Sequence, residues 1–343
     1  MNSAELRPAR PSGRAWLLAG GVLLVMSTIG VLVGPAGLDP VESIKALLDR
    51  LPGVSIPSSL SPQQEAILFE LRLPRVVLGG LVGTMLALAG GAYQGVFRNP
   101  LADPYLLGAA AGAGLGATAV IAADGPRGLV PLAAFAGAMG AVALTYAVGR
   151  SVGERTSTTL ILAGVAVASF LAAAQTFVLQ RNSDSLQEVY GFILGSLATV
   201  GWSDVALAAP YALIAGVGII LHRRMLDVLA VGDEEAMGLG VSAPSVRARV
   251  VLAASLSTAA AVAVSGLIGF VGIIVPHLIR MTAGVSYRII LPLAILVGAA
   301  FLIGADVVGR TVLAPAELPI GVVTAFLGAP FFLLVLRTSR SRP

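Results

Sequence analysis

An all-α protein that crosses a bilayer about ten times is the fold class this sequence predicts, on two observations. Apolar residues make up 57% of the 343-residue chain and charged ones 12%, with a mean hydropathy of +0.91, far from the balance of a water-soluble domain. The charges are also segregated. Residues 15–38, 76–97, 104–123, 128–149, 156–180, 205–221, 289–305 and 318–336 hold no Asp, Glu, Lys, Arg or His, and 250–279 is interrupted only by His277. A hydrocarbon core about 30 Å thick takes roughly 20 helical residues to cross. Within it a helix satisfies its own backbone N–H and C=O groups.

Span one, 15–36, follows Arg7, Arg10 and Arg14 in an N-terminal tail of residues 1–14. Its uncharged run is longer than the ~7–15 residues of an export signal's apolar segment, so the sequence predicts a retained helix. Span two, 73–97, opens on Leu71-Arg72-Leu73-Pro74-Arg75. Arg72 and Arg75 are expected one turn apart, facing the same way at the water boundary. Interfacial anchoring and reception of a partner's carboxylates are both open to them. Span three, 104–122, has Asp103 as an expected N-cap and Pro104 at the first helical position. Its Gly108, Gly112 and Gly116 recur every four residues, which suits close helix packing. Span four covers 128–149 and span five 156–180. On span five, Thr158, Leu162, Val165, Ser169, Ala172 and Thr176 share one face, suited to helix packing or to lining a ligand path. The apolar stretch 189–200 is too short to cross and reads as a re-entrant or interfacial helix. Span six is 203–221.

The longest loop, 222–247, contains Gly232, Asp233, Glu234, Glu235, Ala236, Met237, Gly238, Leu239 and Gly240. Asp233 can cap a short helix there, Glu234 and Glu235 suit its positive end, and Gly240 can terminate it in a left-handed conformation. Such a short helix is unstable alone, and Ala236, Met237 and Leu239 call for a covering surface, either lipid or a partner. Spans seven and eight, 247–265 and 266–282, are separated by breaks at Gly266 and Pro276. Span nine, 289–309, carries Asp306, an intramembrane acid four residues before Arg310 and so placed to pair with it. His277, beside Pro276, is expected to bond a freed carbonyl. Span ten is 318–336, and 338–343 form a second tail.

With both termini in the cytoplasm, fifteen of the 22 Lys and Arg residues fall inside, as the positive-inside rule requires. The basic residues are scattered over many loops, which argues against nucleic-acid binding. There is no cysteine and only two histidines, against disulfides, thiolate catalysis and a histidine-rich metal site. The only lysine, Lys45, follows no glycine loop, so the chain has no Walker-type nucleotide site. An intramembrane hydrolase would need a nucleophile–base or metal constellation, and none is written in the sequence. A secondary transporter would want coupling carboxylates near the midplane, where Asp306 is the one candidate.

Several long motifs, in order from about residue 71 to 337, resemble the permease subunits of iron-chelate, haem and vitamin B12 ABC importers, the ten-helix type II class. They are Arg72-Leu73-Pro74-Arg75, Gln94-Gly95 with Asn99-Pro100-Leu101-Ala102-Asp103-Pro104, Leu107-Gly108, Gly195-Ser196-Leu197, Gly269-Phe270-Val271-Gly272 and Pro276-His277-Leu278-Ile279-Arg280. The longest is Glu317-Leu318-Pro319-Ile320-Gly321-Val322-Val323-Thr324 with Gly328-Ala329-Pro330. The resemblance implies one permease domain, 15–337, in a bacterial or archaeal cell membrane. It implies a homodimer bound to two cytoplasmic ATPase subunits, which hold the ATP and Mg, and to one extracytoplasmic binding protein. This chain would bind no cofactor. By the same resemblance Arg72, Arg75 and Arg310 receive acids of the binding protein, the helix around 232–240 couples to the ATPase, and the pore follows span five and part of span ten. The cargo would be an iron complex (siderophore or haem) or cobalamin. The chain departs from the family at Ser286-Tyr287-Arg288, where Asp-His-Arg is usual, and at Phe192, where tryptophan is.

Overall fold

The computed structural model describes residues 11–151 and 157–339. The expected tails up to residue 10 and from 340, the turn with Arg155 and the start of span five at 156 lie outside them. Helix α1 (Gly13–Leu32) begins at Ser12, whose Oγ accepts from Ala15 N at 3.2 Å. Two short helices that the sequence reading missed follow. In α2 (Pro40–Asp49), Asp39 caps the first turn by accepting from Val41 N and Glu42 N. In α3 (Pro62–Ala66), Ser61 and Gln64 form a capping box. Both have proline in the first turn, the N-terminal signature a sequence can carry. A π turn (Ile67–Arg72) then leads into α4 (Leu73–Phe97), which ends at Arg98 in a left-handed conformation, φ 50°.

The remaining elements are α5 (Ala109–Ala122), α6 (Val130–Ser151), α7 (Ser157–Arg181), α8 (Leu186–Leu194), α9 (Trp202–Leu221), α10 (Arg223–Val231), α11 (Asp233–Gly238), α12 (Ala243–Ser265), α13 (Val271–Thr282), α14 (Tyr287–Thr311) and α15 (Ile320–Ser339). Ten of these match the ten expected spans. Seven are long and apolar enough to cross a membrane by themselves, and α5, α13 and α15 are the shorter apolar ones among the described residues.

Three boundaries differ from expectation. Helix α5 starts at Ala109, after Gly108 at φ 80°, rather than at Pro104. Asp103 instead turns the chain locally, its Oδ1 accepting from Tyr105 N at 2.8 Å. The α12–α13 break falls at Gly266, φ 67°, and the next four residues, while Pro276 lies inside α13. His277 rests edge-on to Phe331 with ring centroids 5.6 Å apart, in place of the expected carbonyl bond. Helix α8 occupies 186–194, and Gly195, φ 70°, stops it before the end of the apolar stretch.

Helices α4, α12 and α14 form the centre. Their apolar windows are 78%, 67% and 72% buried, against 17–28% for α1, α6, α7 and α9. Outward leucines such as Leu17, Leu132 and Leu213 are penalised in water but not in lipid tails, which are as apolar as leucine. Glycine sets the central spacing: a methyl group on Gly83 would strike the Gly298 carbonyl, and one on Gly90 the Gly272 backbone. Hydroxyls join the same helices, with Tyr93 Oη 2.7 Å from Ser255 Oγ and Ser257 Oγ donating to Met85 O at 3.0 Å. The α5 glycines pack as their spacing suggests, Gly112 against Gly137 and Gly116 against Ala133 of α6.

Candidate functional site

At one end of the bundle the start of α4 meets the ends of α1 and α14. Arg72 is only 5% exposed. Its Nη1 donates to Val31 O at 3.2 Å and Leu32 O at 2.9 Å, and its Nη2 to Ala36 O. Val31 and Leu32 close α1, so their carbonyls have no helical partners, and Ala36 lies in the loop that follows. Arg75 turns instead to α14 and to the loop before α15. Its Nε and Nη2 donate to Asp306 Oδ1 at 2.9 and 2.8 Å, and Nη1 and Nη2 to the two Glu317 oxygens at 2.9 Å each. Arg310, 2% exposed, donates to Gly30 O at 2.6 Å and lies 3.3 Å from Asp306 Oδ2.

The expectation that Arg72 and Arg75 face the same way at the water boundary is therefore corrected. Buried guanidiniums demand acceptors, and the helices on either side supply different ones. Asp306 does form the expected pair with Arg310, and it also holds Arg75. Glu317, with 28% of its side chain exposed against 11% for Arg75, is the most exposed member of the cluster.

The loop between α9 and α12 occupies the other end of the bundle. Its first part is helix α10, also missed, although Leu226 and Leu229 (both 0% exposed) lie one turn apart against polar Arg223 and Arg224. Asp227 accepts from Ser286 Oγ and from Tyr287 N, each at 2.6 Å. The departure at Ser286-Tyr287 is thus where the loop is fastened to α14. Helix α11 starts after Gly232 rather than at an Asp233 cap. Asp233 is held by Arg247 at 2.6 and 2.8 Å and approached by Arg98 at 3.5 Å. Hydrogen bonds from Arg247 set its carboxyl below the ordinary aspartate range.

Gly240, φ 75°, ends the helix as expected, with Val241 N bonded back to Ala236 O at 2.9 Å. Glu234 and Glu235 sit in the first turn, and the Glu235 carboxylate folds over Gly232. Ala236 is fully buried, contrary to expectation, because it packs inward with the core, while Met237 and Leu239 are 69% and 68% exposed.

On α7, Thr158, Leu162, Val165, Ser169, Ala172 and Thr176 all lie on an exposed face. Ser169 and Thr176 return their hydroxyls to the helix's own carbonyls, Val165 O and Ala172 O, so this face is effectively apolar. A groove of about 650 Å³ was not foreseen. It lies between α8, the α12–α13 break and α15, and is lined by Leu194, Phe270, Gly321, Phe326, Ala329 and Pro330. Motifs far apart in sequence converge there. Ile320 N donates to Gly195 O at 3.1 Å and Ser196 N to Ser265 O at 2.9 Å. Phe270, left-handed at φ 68°, lays its ring where a side chain at Gly328 would stand. Only contacts across the fold reveal that convergence.

Seven apolar helices about a buried three-helix centre, with a short amphipathic loop helix at one end, make this a multi-span membrane protein. The chain belongs to the FecCD transport family, whose model matches residues 22–338. It is 36% identical over a 370-position alignment to the cobalamin import system permease protein BtuC of Halobacterium salinarum, covering 100% of both chains. It is 40% identical to the hemin transport system permease protein HmuU of Yersinia pestis, over 80% of this chain and 85% of that one. A solved metal-chelate type ABC transporter in an inward-facing conformation superposes with a TM-score of 0.83 at 28% identity, covering 95% of this chain and 100% of that one. The protein is a permease subunit of an ABC importer, with the type II fold and no catalytic activity of its own.

Proposed function

We propose that this permease moves an iron complex (siderophore or haem) or cobalamin into the cytoplasm, as half of a homodimer working with two cytoplasmic ATPase subunits and one extracytoplasmic binding protein. The end bearing α10 and α11 is then cytoplasmic and the Arg72 end outward. One observation carries the reading: α11 is anchored through Ala236 and Asp233 yet presents Met237 and Leu239 uncovered. Exposed apolar side chains on a firmly held short helix fit a partner's cleft. Residues 232–240 would transmit ATP-driven closure to the bundle, because Asp227 and Asp233 tie the loop to α14 and α12.

At the outward end the Arg72, Arg75 and Arg310 cluster would be the docking face, with different shares of the work. Arg72 and Arg310 hold the platform together. Arg75 is the cation an incoming carboxylate can reach, by competing with Glu317. The 650 Å³ groove on α15 and the apolar face of α7 would border the dimer axis and the cargo path. Relatives named for haem and for cobalamin support the cargo class.

The test is reconstitution in proteoliposomes with the neighbouring ATPase and binding protein, together with a visible spectrum of the loaded binding protein, since haem, ferric siderophores and cobalamin absorb differently. Met237→Asp with Leu239→Asp should lower ATPase association at least tenfold. Uphill uptake without any ATPase would overturn the reading.

A further inference from the structure

A small cavity, about 210 Å³, lies where the α4–α5 turn, α10, the end of α13 and the start of α14 meet. Its lining includes Gln94, Arg98, Asn99, Ala230, Arg280 and Tyr287. Both Nη atoms of Arg280 are buried there without a hydrogen-bond partner among the described residues, and so is Gln94 Oε1. The nearby acids are committed elsewhere: Asp233 to Arg247 and Arg98, Asp227 to Ser286 and Tyr287 N. Tyr287 is a near neighbour, with the ring centroid 5.9 Å from the Arg280 guanidinium carbon and the hydroxyl interacting with that guanidinium, but a neutral phenol offsets only part of the cost of burying a charge without a counter-ion among the described residues. Asn99 accepts from Leu101 N through Oδ1 at 2.9 Å, leaving its amide N–H groups as further donors on the lining.

From this juxtaposition we infer that the cavity is an oxyanion site for a phosphate group that also carries a hydroxyl. The guanidinium fork of Arg280 matches two phosphate oxygens, with Arg98 and Asn99 at hand for a third. Gln94 Oε1 requires a donor, which a hydroxyl on the ligand supplies and a carboxylate does not. The volume fits a phosphate and a few waters of about 30 Å³ each and excludes a nucleotide. Free phosphate or its monoester, and the headgroup of phosphatidylglycerol, share this chemistry. The inference does not depend on the cargo or on the ATPase contact.

The test is thermal unfolding of the full chain in nanodiscs, with two arms. In phosphatidylcholine discs, sodium phosphate is titrated against sodium chloride of equal ionic strength. In the other arm, phosphatidylglycerol replaces part of the lipid without phosphate. Binding to the folded state alone should raise Tm by a few degrees at a hundredfold excess over Kd. The rise should be lost in Arg280→Gln and reduced in Arg280→Lys, which keeps the charge but not the fork. A response in the first arm identifies a soluble phosphate, and one confined to the second a lipid headgroup. If Arg280→Gln does not fold, Arg98→Gln, at a side chain 43% exposed, reads the same shift by calorimetric titration with phosphate. No rise in either arm, as for a cavity holding water only, or an equal rise in the variants, overturns the inference.

Discussion

At the scale of single residues, Asp306 and Glu317 grip the same guanidinium with different consequences. Asp306 lies between the buried Arg310 and the largely covered Arg75, so Asp306→Asn leaves both undercompensated and should cost about 3–5 kcal/mol. Glu317 is partly in water, so Glu317→Gln should cost about 1 kcal/mol or less while strengthening the docking of an acidic binding protein. Thermal unfolding and a pull-down would check both, and equal destabilisation by the two substitutions would contradict this division. Asp233 makes a pH prediction. Its folded pKa lies below the ordinary value of 3.8, so its contribution to holding α11 is fully present above that value and is lost as pH falls through the folded pKa. Protection factors of the α11 amides, which remove the intrinsic pH dependence of exchange, should stay unchanged from pH 8 to 5, whereas Asp233→Asn should lower them at neutral pH. The pairing of Asp306 with Arg310 was legible from their spacing. The Arg75 pairing was not, because it joins residues 231 positions apart.

At the scale of helices, glycine decides how close the axes come. Gly83→Ala places a methyl group against the Gly298 carbonyl and should destabilise by about 1–3 kcal/mol. Gly128→Ala meets nothing within 4 Å and should stay within about 0.5 kcal/mol. Comparing the two by thermal unfolding separates close packing from the loss of a flexible residue, and equal effects would reject the packing argument. The existence of the ten spanning helices was legible, because uncharged runs of spanning length have few alternatives in lipid. Short helices were harder. The caps of α2 and α3 and the apolar pairs of α10 are visible once sought, but the hydropathy of membrane spans overshadows them. Expected starts also failed where a residue had a second use, as Asp103 does in turning the chain at Tyr105.

For the whole molecule, the exposed faces of α7 and α15 and the groove beside them bear on assembly. The chain has no cysteine, so one introduced thiol reports cleanly. With a short bis-maleimide in membranes, Phe326→Cys, beside the groove, should give a species of twice the mass. Leu132→Cys, on an outward face of α6, should not. Dimer formation from both positions alike would remove the groove from the proposed axis. The chain alone in vesicles should not accumulate cargo against a gradient, since no nucleotide motif accompanies its single lysine.

The sequence by itself determined that this is a membrane protein of about ten helices, where its loops lie, and which family's motifs it bears. Those properties follow from local hydropathy, the spacing of charges and short contiguous motifs. Tertiary structure alone decided which arginines are locked inside, that α4, α12 and α14 form the centre, and that separated motifs close on one groove. It also left Arg280 without a counter-ion among the described residues. The physical reason is that an apolar run looks alike whether lipid or another helix covers it, and a buried charge is explained only by the neighbour that folding brings to it.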